Sequence, residues 1–181
     1  FDPNKDYTNL TPQEKFRYIE YQKYRFNGEW YVPLSRPHGT DNKQFVLKAA
    51  AKFGILGKYN SVVPLSPFER FELGGDGLSN YTFYGKDIRS QRGVEVEDSS
   101  DPKNNSTTQP ADYQGFTIFN KFTIELRYPI SLNPSATIYV LGFIEACNGY
   151  NGIQDYNPFR LRRSAGIGMR FLLPMFGLLG F

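Results

Sequence analysis

The 181-residue sequence has one cysteine, Cys147, and one histidine, His38. A single cysteine cannot build a disulfide framework or a cysteine metal site within the chain. A single histidine in a turn-like segment leaves no histidine site either. No run of roughly 18 apolar residues occurs, which excludes a transmembrane helix. The net charge of +3 is small and spread along the chain, unlike the clustered basic face of a nucleic-acid binder. Nucleic acid is therefore not an expected partner. There is no Ser/His/Asp, Cys/His or metal constellation, so the expectation is a protein that is not an enzyme, with no cofactor and no metal. The acidic stretch Glu95, Glu97 and Asp98, with Asp101, reads as an exposed loop tip rather than a calcium site. The chain begins at Phe1 without a start methionine and ends at Phe181 in what reads as the opening of a strand. Both ends read as cuts within a longer protein, so the missing signal peptide says nothing about location.

Aromatics, by contrast, are plentiful at 17%, while mean hydropathy is only -0.49. That combination fits strands with one greasy and one polar face. A β-barrel is the only other backbone arrangement that can span a bilayer. Alternation with period two is the main signal. Phe16, Tyr18, Tyr24, Phe26, Trp30, Val32 and Leu34 share one face, with Arg17, Lys23, Arg25, Asn27 and Glu29 opposite. Phe45, Leu47, Ala49, Ala51, Phe53 and Ile55 make a second strand face, against Lys48 and Lys52. After a long stretch, alternation resumes in Phe116, Ile118, Phe122, Ile124, Leu126, Tyr128 and Ile130, interrupted by Asn120. Opposite lie Thr117, Lys121, Thr123, Glu125 and Arg127. Ile138, Val140 and Ile144 alternate with Tyr139, Phe143 and Glu145; Ala165, Ile167, Met169, Phe171 and Leu173 alternate with Ser164, Gly166, Gly168 and Arg170.

The expected fold is all-β: about five antiparallel strands plus the start of a sixth, part of a transmembrane β-barrel. Connections after Leu34, Ile130 and Leu173 are short, the last two expected as turns over 131–135 and 174–177. Those after Gly57 and Cys147 are long, an asymmetry typical of such barrels. The stretch from about 57 to 115 has no sustained period and reads as one long extracellular loop. Trp30, Tyr31, Tyr128, Phe171 and Phe176 sit near the short-turn ends, as an interfacial girdle requires. Pro33, Pro129 and Pro174 lie there too, where a ladder loses a donor at little cost. A soluble, glycan-binding antiparallel sandwich also alternates and is the alternative of another class.

Three segments carry a resemblance. Pro67-Phe68-Glu69-Arg70-Phe71-Glu72-Leu73-Gly74-Gly75 places an aromatic-flanked Gly-Gly ahead of Gln91-Arg92-Gly93-Val94. Glu125-Leu126-Arg127-Tyr128-Pro129 is the second, and Arg163-Ser164-Ala165-Gly166-Ile167-Gly168-Met169-Arg170-Phe171, followed by Pro174 and Gly177, is the third. Together they resemble the C-terminal barrel of the BamA-type outer-membrane assembly family, in a Bacteroidota-like version. Gln91, Val94, Glu145 and Cys147 depart from that family's pattern, which has an aliphatic residue, an aromatic, Asp and Gly there. The resemblance implies an even-numbered barrel of about 16 strands, of which this chain would be the C-terminal portion.

It also implies that the loop folds back into the barrel and sets Arg92 against inward acids. Alternation independently puts Glu125 and Glu145 on the inward face of neighbouring strands. An arginine between two carboxylates forms charge-assisted bonds, and breaking a buried set of this kind costs roughly 3–5 kcal/mol. Gly93, Gly74 and Gly75 would permit tight turns. Lys121, Arg127 and Arg170 face inward without an assigned role, and Cys147 reads as an incidental small lumen residue. The implied function is folding and insertion of β-barrel proteins into the bacterial outer membrane. Its implied partners are client barrels, accessory lipoproteins and membrane lipids. A secretion pore of the same superfamily, or a passive channel, is the alternative.

Overall fold

The computed structural model describes residues 8–11, 14, 20–39, 42–59, 65, 69–75, 87–94, 115–175 and 177–180. Phe16, Arg17, Tyr18, Pro67, Phe68, Phe176 and the acidic stretch at 95–101 lie outside them. Among the described residues there are eight strands: β1 (Gln22–Pro33), β2 (Val46–Gly57), β3 (Phe71–Leu73), β4 (Asp87–Arg89), β5 (Ile118–Asn133), β6 (Ala136–Tyr150), β7 (Arg162–Leu173) and β8 (Gly177–Gly180). Six of them form one sheet in the order β1-β2-β5-β6-β7-β8, every neighbour antiparallel. This is the expected run of five long strands and a short sixth, and the sheet is not closed within the chain.

The register sorts the side chains. Lys48 pairs with Glu125 and Ala50 with Thr123, and Thr123 pairs in turn with Glu145. All of these therefore share one face, the inner one. Phe26, Trp30, Val32, Ile124, Ile144 and Ile167 project from the other, all of them exposed, Ile167 at 90%. A sheet-wide apolar face of this kind marks contact with lipid or a partner. From Ile118 to Tyr128 the strand climbs roughly 26 Å along a bilayer normal, at about 3.4 Å per residue and about 40° tilt. That matches the apolar band of outer-membrane barrels.

Several boundaries differ from the sequence reading: β6 runs on to Tyr150, past the end expected at Cys147, and β8 begins at Gly177, inside the turn expected over 174–177. The turn expected over 131–135 shrinks to Pro134 and Ser135, because β5 continues through Asn133. A register shift between Pro129 and Ser131 accommodates the proline, which has no N–H to donate. The stretch expected as one loop from 57 to 115 contains β3 and β4, which pair in parallel. Strands of three residues are too short to show a period, so alternation could not reveal them.

The β3–β4 unit lies against the inner face of the sheet. Phe71, Leu73 and Phe116 pack with Leu56 of β2, Phe119 of β5 and Cys147 of β6. Room for the rings comes from glycine on the wall. A Cβ on Gly54 would lie 2.3 Å from the Phe119 ring, and one on Gly149 would lie 2.2 Å from Phe116. Cys147 is thus a fully buried member of this core, not an incidental lumen residue. Its burial follows from the inserted segment above it, which strand alternation alone does not register.

Candidate functional site

Just after β4, Gln91, Arg92, Gly93 and Val94 make a tight turn, closed by the Val94 N–H donating to the Gln91 carbonyl at 3.2 Å. Gly93 has φ of 78°, a left-handed conformation that costs glycine nothing and other residues about a kcal/mol or more. Gly74 and Gly75, with φ of 121° and 82°, turn the chain at the end of β3. Their N–H groups donate to the Arg89 and Val94 carbonyls, at 3.1 and 2.8 Å. The glycine pair therefore ties β3 to the Arg92 turn.

The turn delivers Arg92 onto the inner wall between β5 and β6. Its backbone N–H donates to Glu145 Oε2 at 2.9 Å. Nε and Nη2 donate to Glu145 Oε1 at 3.2 and 2.8 Å, and Nη2 also reaches Glu125 Oε1 at 2.6 Å. The guanidinium lies 3.6 Å from the Phe143 ring centroid, a cation–π contact. A Cβ on Gly166 would lie 2.7 Å from that ring, so the glycine on β7 is what lets Phe143 lie flat. The structure therefore brings Arg92, Glu125 and Glu145 together, with both carboxylate residues only 3% exposed.

Three cations complete the cluster that sequence reasoning left without a role. Arg127 Nε donates to Glu125 Oε2 at 2.9 Å, and its Nη2 pairs with the same oxygen. Lys121 Nζ lies 3.2 Å from Glu145 Oε1 and donates to the Ser90 carbonyl. Arg170 Nη2 is 3.9 Å from Glu125 Oε1. Glu125 and Arg127 are two apart on one strand, hence on one face, and that spacing was available in the sequence. Lys121 could not be assigned, because its partners lie on another strand and in the loop. Gln91, where the family resemblance expects an aliphatic residue, is 1% exposed, and its Nε2 donates to the Arg162 carbonyl at 2.8 Å. It thereby hooks the turn to β7.

A second attachment lies on β1. Lys23 Nζ is 2.7 Å from Asp87 Oδ2 and 3.3 Å from Glu69 Oε2, and it sits 4.6 Å from the Phe71 ring centroid. Arg89 reaches Asp87 Oδ1 at 2.5 Å. The inserted segment thus holds the inner wall at β1 through Asp87, and at β5 and β6 through Arg92. Burial raises the Asp87 carboxyl, but the Lys23 hydrogen bond and the Arg89 and Lys23 charges outweigh it, leaving the pKa below its ordinary value of 3.8. A carboxyl depressed in the folded state stabilises it above the unfolded pKa and loses that contribution as pH falls through the folded value. The β1 attachment is therefore expected to hold at neutral pH and weaken only below about pH 4. The protection factor at β4, the exchange rate taken relative to the intrinsic amide rate at each pH, should fall across that acid range more steeply in the wild type than in Asp87→Asn. Identical protection profiles in the two proteins would show that the pair adds nothing.

Among the described residues, no group of three or more His, Cys, Asp or Glu could hold a metal ion. What the arrangement does is fasten a folded-in segment to the inside of a barrel wall. The sequence pattern that defines the Omp85 superfamily domain matches residues 9–181. The chain belongs to the Omp85 superfamily. No curated protein and no solved structure matches it. Omp85 proteins are in general outer-membrane β-barrels that assemble or translocate other proteins, working with substrate outer-membrane proteins. The Omp85 match covers the β1 and β2 region as well as the three segments that carried the resemblance.

Proposed function

We propose that this Omp85 chain is the C-terminal part of the barrel of a BamA-type factor that folds and inserts β-barrel proteins into the bacterial outer membrane. On this reading the connection between β2 and β5 is the extracellular loop that folds back into the barrel. Client barrels enter at a seam elsewhere in the barrel, and accessory lipoproteins and membrane lipids are its other partners. The process involves no covalent step, so the inner-wall cluster works as a fastener and not as a catalyst. The observation that supports it is the Arg92 turn, held by both Glu125 and Glu145. A barrel that opens along a seam loses ladder hydrogen bonds there, and an internal strap across β1, β5 and β6 offsets that loss without closing the seam. A passive pore gains nothing from filling its inner face with Phe71, Leu73 and Phe116.

The test is a reconstituted folding assay with the full-length protein in liposomes, read as the rate of insertion of a client β-barrel. The wild type is expected to accelerate insertion and Arg92→Ala to slow it. Acceleration that Arg92→Ala leaves untouched would keep the function and remove the cluster's role. If the wild type gives no acceleration and the liposomes become permeable to solutes, the protein is a secretion pore of the same superfamily.

A further inference from the structure

The β6–β7 connection, residues 151–161, does not extend away from the barrel rim but folds back over the outer face of the sheet. Tyr156 packs edge-on against Phe53 of β2 at 6.2 Å and against Tyr150 of β6 at 5.1 Å. Asn120, the residue that interrupts the apolar face of β5, is 2% exposed beneath it, and its Nδ2 donates to the Pro158 carbonyl at 3.4 Å. Asn157, Pro158, Phe159 and Arg160 then form a turn, with the Arg160 N–H donating to the Asn157 carbonyl at 3.2 Å and the Phe159 N–H to Asn157 Oδ1 at 3.0 Å. The Arg160 carbonyl accepts from Asn148 Nδ2 at 2.7 Å and from the Tyr150 hydroxyl at 2.9 Å. The Asn157 carbonyl shares that one hydroxyl proton with the Arg160 carbonyl.

Hydrogen bonds from Asn120, Asn148 and Tyr150, with two more inside the turn, fix it in place, yet it presents Phe159 at 85% exposure. A rigidly displayed phenyl ring adds nothing to folding. At a bilayer interface the same ring would bury its area in acyl chains. Two exposed arginines follow it closely in the chain. Arg160 is exposed on the turn, and Arg163 is exposed on the outer face, where the register sets it opposite Ala146 and so in line with Phe122. Arg162, opposite Cys147 in the register, faces inward, and at the rim Asn148, Asn151, Asp155, Arg160 and Arg162 line a hollow of about 740 Å³. Asp155 is the one acid in the segment 151–163, against three arginines. An arginine at the upper edge of a lipid-facing surface needs an anion, and its planar fork suits phosphate.

We propose that Phe159, Arg160 and Arg163 form a binding site for a phosphate-bearing lipid headgroup in the leaflet at the long-connection rim. The two guanidinium groups take the phosphate, and Phe159 inserts among the acyl chains below it. The site depends on the barrel being set in a bilayer and is independent of any insertase activity. The test is native mass spectrometry of the full-length protein, purified in micelles doped with phosphatidylglycerol or phosphatidylcholine. Phosphatidylglycerol retention is expected to be preferred and to resist added inorganic phosphate. Each surface arginine contributes about fivefold to such attraction, so Arg160→Gln/Arg163→Gln should weaken retention about 25-fold. Phe159→Ser should lower retention of both lipids while leaving the preference between them. Heat-shifted mobility on gels confirms that each variant is folded. Equal retention by the double variant overturns the proposal. So does full displacement by inorganic phosphate with no effect of Phe159→Ser, which would make this a site for free phosphate.

Discussion

Glu145→Ala is expected to destabilise the folded protein by about 3–5 kcal/mol, more than Arg92→Ala, for which about 2–3 kcal/mol is expected. The asymmetry follows from who is left without a partner. Removing Arg92 leaves Glu125 with Arg127, and Glu145 with Lys121 at 3.2 Å and the Thr123 hydroxyl at 3.4 Å. Neither buried carboxylate is abandoned. Removing Glu145 strips the Arg92 N–H, Nε and part of Nη2 of their acceptor, and takes from Lys121 its carboxylate. The interior then holds an excess of positive charge beside a single acid, Glu125. The 3–5 kcal/mol that the sequence suggested for loss of the arginine is thus moderated by cations it did not assign to the cluster. Urea unfolding of the full-length protein in micelles measures both variants, with Glu29→Ala as a control for a less buried pair, Glu29 with Lys48 at 3.0 Å. That control should cost under about 1 kcal/mol. An equal, small loss in Glu145→Ala would mean that solvent screens the whole cluster.

The second large effect is expected at Phe71, whose side chain is 0% exposed. Its ring meets Phe119 edge-on at 4.7 Å, lies under Lys23, and occupies the space that Gly54 leaves open. Truncation of such a ring to alanine costs about 3–5 kcal/mol. Because Phe71 belongs to the inserted segment, that loss should appear first as local release of β3 and β4, not as unfolding of the wall. Limited proteolysis between β2 and β5 should therefore accelerate in Phe71→Ala while the six-stranded sheet stays protected. Phe71→Leu, which keeps most of the volume, should lose less than about 1.5 kcal/mol. Cleavage of Phe71→Ala at the wild-type rate would show that the ion pairs alone hold the segment.

The two results would separate the fasteners. Glu145→Ala acts where the segment meets β5 and β6, and Phe71→Ala where it meets β2 and β5. If their effects add, the strap is held at independent points. A shortfall from additivity would mean that losing one contact already frees the other.

Alternation alone was enough to assign the five long strands, to separate Lys48, Glu125 and Glu145 from Ile124, Ile144 and Ile167, and to place the short and long connections. A strand throws successive side chains to opposite faces, so a barrel wall with lipid on one side writes its orientation into every second residue. The same rule put Glu125 and Glu145 on the inner face before any contact was known. Tertiary structure decided the rest. Arg92 meets acids 33 and 53 positions away, and such a meeting depends on the register of β5 against β6 and on the path of the inserted segment, not on local pattern. The parallel pairing of β3 with β4, the burial of Cys147 beneath Phe71 and the burial of Asn120 beneath the β6–β7 connection follow likewise from chain that folds back onto a finished sheet. Period two describes a wall. It carries no information about what that wall is covered with.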